Sequence, residues 1–195
     1  MRYPTLAYQH EQPSHILERV ATKCSVAFPV RQPVSITSAS QRKCCSRLTK
    51  RSHINVEVEL SEHELRSVPL PGGTKPIYAG AAGKAILAWW SGEAVESFLK
   101  HVELLAVAPR TITKRADLML ELTRTRSRGY AISVGETEPW QAASAAPIFG
   151  AEAIVVGCLN ISGPTSRLPP AKLRANGELA VAATKRLGCL LVSRG

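Results

Sequence analysis

The 195-residue sequence predicts an α+β fold, an antiparallel sheet backed by helices. Three observations carry this. The elements run strand, two or three helices, three strands, helix, instead of alternating strand with helix. HINVEVEL and YAISVGE alternate apolar and polar residues as half-exposed strands do. The run Ala153 to Leu159 is nearly all apolar, as in a strand buried on both faces.

Taken in order, residues 1–14 are polar and Pro-interrupted and read as an arm or the remnant of a linker. HILERVATKC predicts a short helix capped by Ser14, with Ile16, Leu17 and Val20 apolar. VAFPV predicts a strand that Pro29 confines to a sheet edge. Residues 31–53 are rich in Ser, Arg and Lys, show no period and predict a loop. In HINVEVEL, Ile54, Val56 and Val58 point one way and Asn55, Glu57 and Glu59 the other. SVPLPGGTKP, with its prolines and glycines, must turn.

AGKAILAWW predicts a short apolar helix. Ser91 caps the next one, which places Ala94, Val95, Phe98 and Leu99 on one face. A third helix runs from about Thr113 to Arg128, with Leu118 and Leu122 in its buried stripe. Arg124, Arg126 and Arg128 suit the negative end of its dipole, and Gly129 suits its C-terminal cap. YAISVGE, SAAPIFG and AIVVGCLNISG follow as strands, the last two joined by a Gly-Ala-Glu turn. Pro169 and Pro170 open a last helix whose apolar face is Leu173, Leu179, Ala183 and Leu187, interrupted by Gly177 and ended by Gly188.

Composition narrows the function classes. Hydrophobic residues are 45% and charged residues 21%, ordinary for a soluble globular chain. The sequence holds no run of 18 apolar residues, so no membrane-spanning helix is expected, and the N-terminus has no signal-peptide core. Five cysteines, none in C-x-x-C spacing, fit reduced thiols in a cytoplasm better than a zinc site or a disulfide scaffold. The net charge of +10 is spread evenly along the chain. Its densest cluster, Arg42, Lys43, Arg47, Lys50 and Arg51, suits a solvated loop; lacking aromatic residues, it makes nucleic-acid binding the lesser alternative.

GAAGKA resembles part of a phosphate-binding loop, but the pattern fails. The first Gly of G-x-x-x-x-G-K-[ST] would fall on Tyr78, and Ala85 stands where Ser or Thr should hold magnesium. Two uses remain for the stretch. Gly80, Ala81 and Ala82 let a ligand approach backbone N–H groups at a helix start, which attracts carboxylates. Equally, small residues let a helix pack tightly on a sheet. Lys84 is expected on the surface, one turn away. His10, His15, His53, His63 and His101 form neither a triad nor a metal pattern. A paired-carboxylate reading would use Glu136 and Glu138, which on an extended chain need only share one face, and an enzymatic alternative would use Glu136 or Cys158. No catalytic constellation, metal site or cofactor is expected.

Together PLPGGTKPIYAGAAGKAILA, the TIT segment, RSRGYA, AAPIF, NISGPTSR and the closing RLG resemble the effector-binding domain of IclR-type bacterial transcription regulators. The likeness runs from about Glu62 to Gly188, with SEHELR ahead of it, and residues 24–54 fit it poorly. It implies a GAF/profilin-like domain over residues 15–195, a curved antiparallel sheet flanked by helices. It implies no enzymatic activity and a small organic or aromatic acid as effector. It also implies a homodimer or homotetramer that controls DNA through a winged helix-turn-helix. No helix-turn-helix pattern fits ahead of HILERVATKC, so that domain is expected to be absent from this chain. Carried over by position, the effector site is Gly80, Ala81 and Ala82 at the helix start, and Ser133 where the family usually has an acid. Trp140, Gln141 and Ala143 follow, then Asn160 and Ser162, which an i, i+2 spacing aims at one pocket. Ser133 in place of an acid, and an added Trp140, imply tolerance of a charged, aromatic acid.

Overall fold

The computed structural model describes residues 34–39, 42–48, 52–55, 58–59, 74–150 and 153–192. The expected arm, the HILERVATKC helix, the VAFPV strand and most of the SVPLPGGTKP turn lie outside them. The elements are β1 (Val34–Ala39), β2 (Arg42–Leu48), β3 (Ser52–Asn55), β4 (Val58–Glu59) and β5 (Thr74–Pro76). Then come α1 (Gly80–Leu87), α2 (Gly92–His101), α3 (Arg115–Arg128), β6 (Ala131–Val134), β7 (Gln141–Phe149), β8 (Val155–Pro164) and α4 (Pro170–Val192).

The strands form one sheet in the order β5-β3-β2-β1-β8-β7-β6, with β4 beside β1. Its pairings are antiparallel except β1 with β4 and β1 with β8, the latter joined at Ile36 and Leu159. Residues 31–53 were expected to be loop, yet 34–39, 42–48 and 52–53 are strand. Their Ser and basic residues hide the alternation, and β1 gains its place by pairing with β2 and with the distant β8. HINVEVEL is not one strand: Ser52–Asn55 pairs with β2 and Val58–Glu59 with β1.

The β6–β7–β8 part of the sheet is covered on both faces. One face presents Ala146, Ile148, Leu159 and Ile161 to Ala180 and Leu187 of α4. On the same side Ser144 Oγ donates to the carbonyl of Leu173 at 2.6 Å. The other face presents Ala131, Ala143, Ala145 and Cys158 to Ala81, Ala82, Ala85 and Ile86 of α1. A bulge between Ile148 and Phe149 shifts the parity, so Val155 joins the α1 side while Val156 packs on the α4 side.

α4 buries Leu173, Gly177, Ala180, Thr184 and Leu187, while Leu179 is 62% exposed. Gly177 therefore belongs to the buried stripe and does not interrupt it: a Cβ there would run into the Tyr130 ring. The helix also continues past Gly188 to Val192. α1 begins earlier than AGKAILAWW suggests, so Gly80, Ala81 and Ala82 are its first turn and Trp89 and Trp90 lie beyond its end. Arg126 fixes that end by donating to the carbonyls of Ala88 (2.7 Å) and Trp90 (3.1 Å). Arg126 thus has tertiary partners in addition to the helix dipole, and Arg128 likewise bonds beyond the helix, to the carbonyl of Tyr130.

The other helix limits follow their local signals. Gly129 caps α3 with φ 83°, a left-handed conformation that suits glycine. Ser91 Oγ accepts from the N–H of Ala94 at 3.1 Å and starts α2, which buries Val95, Phe98 and Leu99 but leaves Ala94 exposed. Ser91→Ala is expected to lower stability by about 1 kcal/mol, and Ser91→Gly by only a few tenths. Chemical denaturation of the two variants checks this; equal losses would mean the hydroxyl is not the cap. Among the described residues no helix is long and apolar enough to cross a membrane.

Candidate functional site

The α1-facing side of the sheet gathers most of the residues expected at an effector site. Register places Ser133 opposite Ala143 and Ala143 opposite Ser162. One step along, Ala131, Ala145 and Asn160 form a second row across the same three strands. Because side chains alternate between faces, both rows and Cys158 point towards α1. Cys158 confirms the direction, its thiol lying 3.5 Å from the carbonyl of Ala82. Ser133, Ala143 and Ser162 are buried, Gln141 and Asn160 half-buried. The buried Oδ1 of Asn160 has no hydrogen-bond partner among the described residues.

Gln141 begins β7 on this same face and accepts from Thr137 Oγ1 at 2.9 Å. Thr137 lies against Gly80, its methyl 2.9 Å from where a Cβ of that glycine would stand. Trp140 does not join the group. It sits on the turn before β7 and is 46% exposed, and its carbonyl accepts from the N–H of Thr165 at 2.8 Å.

The ceiling of the site is the first turn of α1. A helix start leaves its first N–H groups without intrahelical acceptors. Here the N–H of Gly80 donates to Glu136 Oε2 at 3.3 Å. The N–H groups of Ala81 and Ala82 find no acceptor among the described residues, and Ala79 at the N-cap position offers no side-chain cap. These donors thus stand at the start of the helix whose small side chains pack on the sheet face that carries the serines.

Lys84 overturns a sequence expectation. It is buried, 1% exposed, and lies at the centre of an ionic row. Its Nζ is 2.5 Å from Glu136 Oε1 and 2.7 Å from the carbonyl of Ile132, with Glu121 Oε1 at 3.7 Å. Arg128 Nη2 in turn stands 2.6 Å from Glu121 Oε1. The four charges alternate in sign and sum to zero. Isolated buried charges are very costly, and this pairing is what lets Lys84 sit in the core.

Glu136 and Glu138, expected on one face, part company. Glu136 turns in to Lys84, while Glu138 stays at the surface 3.6 Å from Lys75. They are therefore no carboxylate pair. Cys158 is fully buried under α1. Among the described residues no group of three His, Cys, Asp or Glu could hold a metal. Of the basic cluster, Arg42 to Leu48 is strand β2, and residues 49–51 lie outside the described residues. Sequence reasoning missed the Lys84–Glu136 brace and Thr137. No periodic signal marks a pair 52 residues apart.

Comparison with known proteins places this geometry in a family. The family model for the bacterial transcriptional regulator IclR C-terminal domain matches residues 45–187. The HTH-type transcriptional regulator KipR of Bacillus subtilis is 34% identical over 102 residues, covering 52% of this chain and 41% of KipR. The HTH-type transcriptional regulator XynR of Escherichia coli is 31% identical over 120 residues, covering 60% of this chain and 48% of XynR. The chain spans about half the length of these curated relatives. Among solved structures, the Thermotoga maritima IclR matches with a TM-score of 0.74 at 22% identity, over 91% of this chain and 74% of that one. The inducer-binding domain of the Acinetobacter PobR transcription factor, a double mutant in complex with 3-hydroxybenzoic acid, matches at TM-score 0.69 and 21% identity. That match covers 91% of this chain and 97% of the PobR domain. At such identities the structures establish a shared fold.

Proposed function

The chain belongs to the IclR family of bacterial transcriptional regulators through their C-terminal domain, and from that premise we propose that it senses a small organic or aromatic acid. Its relatives are transcriptional regulators and not enzymes. One observation carries the reading: the N–H groups of Ala81 and Ala82, without an acceptor among the described residues, start the helix that packs on the sheet face bearing Ser133, Ser162 and the unpartnered Oδ1 of Asn160. A carboxylate is the chemistry that two such N–H groups at a helix start would hold. The hydroxyls and the Asn160 amide would then take the far polar groups of the ligand. Alanines at 81, 82, 143 and 145 keep the walls short, which favours a body the size of a benzoate ring over a two- or three-carbon acid. Gln141 and Gly80 line the approach in this reading.

The effector bias would pass to a homodimer or homotetramer and so to DNA, through a winged helix-turn-helix, in the cytoplasm. Thermal-shift measurements with benzoates against glyoxylate and pyruvate test the ligand. The expected result is stabilisation by the aromatic acids, with the apparent affinity of a hydroxybenzoate weakened about fivefold by Ser162→Ala, in line with loss of one neutral hydrogen bond. A preference for glyoxylate or pyruvate would sink the size argument. Indifference to every acid would sink the site.

A further inference from the structure

Resting on that reading of the site, the geometry points to Glu136 as a resident carboxylate that an acidic effector must displace. Glu136 already does what the effector's acid group would do. One oxygen accepts from the helix-start N–H of Gly80 and the other meets the buried Lys84. An effector carboxylate on Ala81 and Ala82 would lie next to it, because neighbouring N–H groups in a helix turn are only about 3 Å apart.

The charges cannot tolerate both. Lys84 faces Glu136 and Glu121 already, and Arg128 is matched to Glu121. A third carboxylate would sit beside an existing one while both cations of the row are already matched, and like charges at this range in a low-dielectric site repel strongly. Exchange avoids that. If the effector's carboxylate takes over Gly80 N–H and Lys84 while Glu136 turns outward, the row keeps its sum of zero. The burial cost of one carboxylate is then offset by the release of the other.

The surroundings suit a side-chain exchange. The main chain of Glu136 is held, its carbonyl accepting from Thr111 Oγ1 at 2.7 Å, and Thr111 Oγ1 in turn accepts from the N–H groups of Val107 (3.1 Å) and Ala108 (2.9 Å). The neighbouring Trp140 is exposed and Glu138 half-buried, so the turn that carries Glu136 borders solvent. A neutral ligand could not replace Glu136 at Lys84. The latch therefore selects acids over their amides and ties binding to a change in the 135–140 turn.

Titration of wild type, Glu136→Gln and Glu136→Ala with sodium benzoate and with benzamide, in chloride of matched ionic strength, tests this. With the competitor removed, benzoate is expected to bind both variants about tenfold or more tighter than wild type, because the competent fraction rises. Benzamide should show no such gain. A variant that melts early in chloride should recover in benzoate, which reads out the same exchange. Variants that bind benzoate no tighter than wild type, while wild type still binds it, would overturn the latch and leave the effector site standing. Absence of benzoate binding in all three proteins would remove both.

Discussion

Lys84→Met is expected to cost about 3–5 kcal/mol of stability, because it leaves Glu136 buried beside Glu121 without its cation. Solvent screening cannot soften this, since Lys84 is 1% exposed. The double variant Lys84→Met/Glu136→Met should recover most of the loss, because an apolar pair of similar volume replaces both charges. Denaturant unfolding of the two single variants and the double variant measures the coupling. A Lys84→Met protein within about 1 kcal/mol of wild type would show that the ion pair is dispensable. Stability and signalling are separable here. The double variant should fold and yet lose the cation on which the exchange of carboxylates depends.

The second large effect is Gly83→Ala. α1 passes so close to the preceding turn that a Cβ at position 83 would collide with the carbonyl of Ile77. Backbone, unlike a side-chain tip, cannot swing aside, so α1 must lift from the sheet or the 77–79 turn must move. A loss of about 3 kcal/mol or more is expected, at the upper end of overpacking effects. Effector binding should weaken too, since Ala81 and Ala82 ride on the same turn. Thermal denaturation checks the first and benzoate titration the second. An unchanged melting temperature would mean the close approach is not as drawn. The G-K pair thus has a use unconnected with phosphate: the glycine admits the Ile77 carbonyl and the lysine pairs inside the core.

Much of the C-terminal half was legible because its signals are local. Ser91 as a cap, Leu118 and Leu122 as a stripe, Gly129 as a left-handed cap and the alternating strands each declare themselves within one turn or a few residues. The i, i+2 spacing of Asn160 and Ser162 also put both on one face, as register bears out. Where chemistry and burial disagree, the local reading failed. Leu179 looks like core and is exposed, while Gly177 looks like an interruption and is buried, because α4 is pressed against Tyr130 and β7. Strand β1 alternates only over Val34 to Thr37, amid Ser and basic residues, and its place depends on partners such as Leu159, far along the chain.

The sequence by itself determined the α+β class, the caps at Ser91 and Gly129, the faces of β6 to β8 and, through a run of short motifs, the IclR kinship. These rest on interactions between residues close in the chain or on patterns that spell one backbone geometry. Only the tertiary structure decided where the charges go. Lys84 reads as a surface residue until β6 and the turn after it bring Ile132 and Glu136 to its ammonium, and Glu136 reads as one of a pair until the same turn separates it from Glu138. Whether a charge can be buried depends on the cations, anions and carbonyls around it. Those partners come from segments roughly 40 to 50 residues away, and no pattern within a helix or strand encodes them.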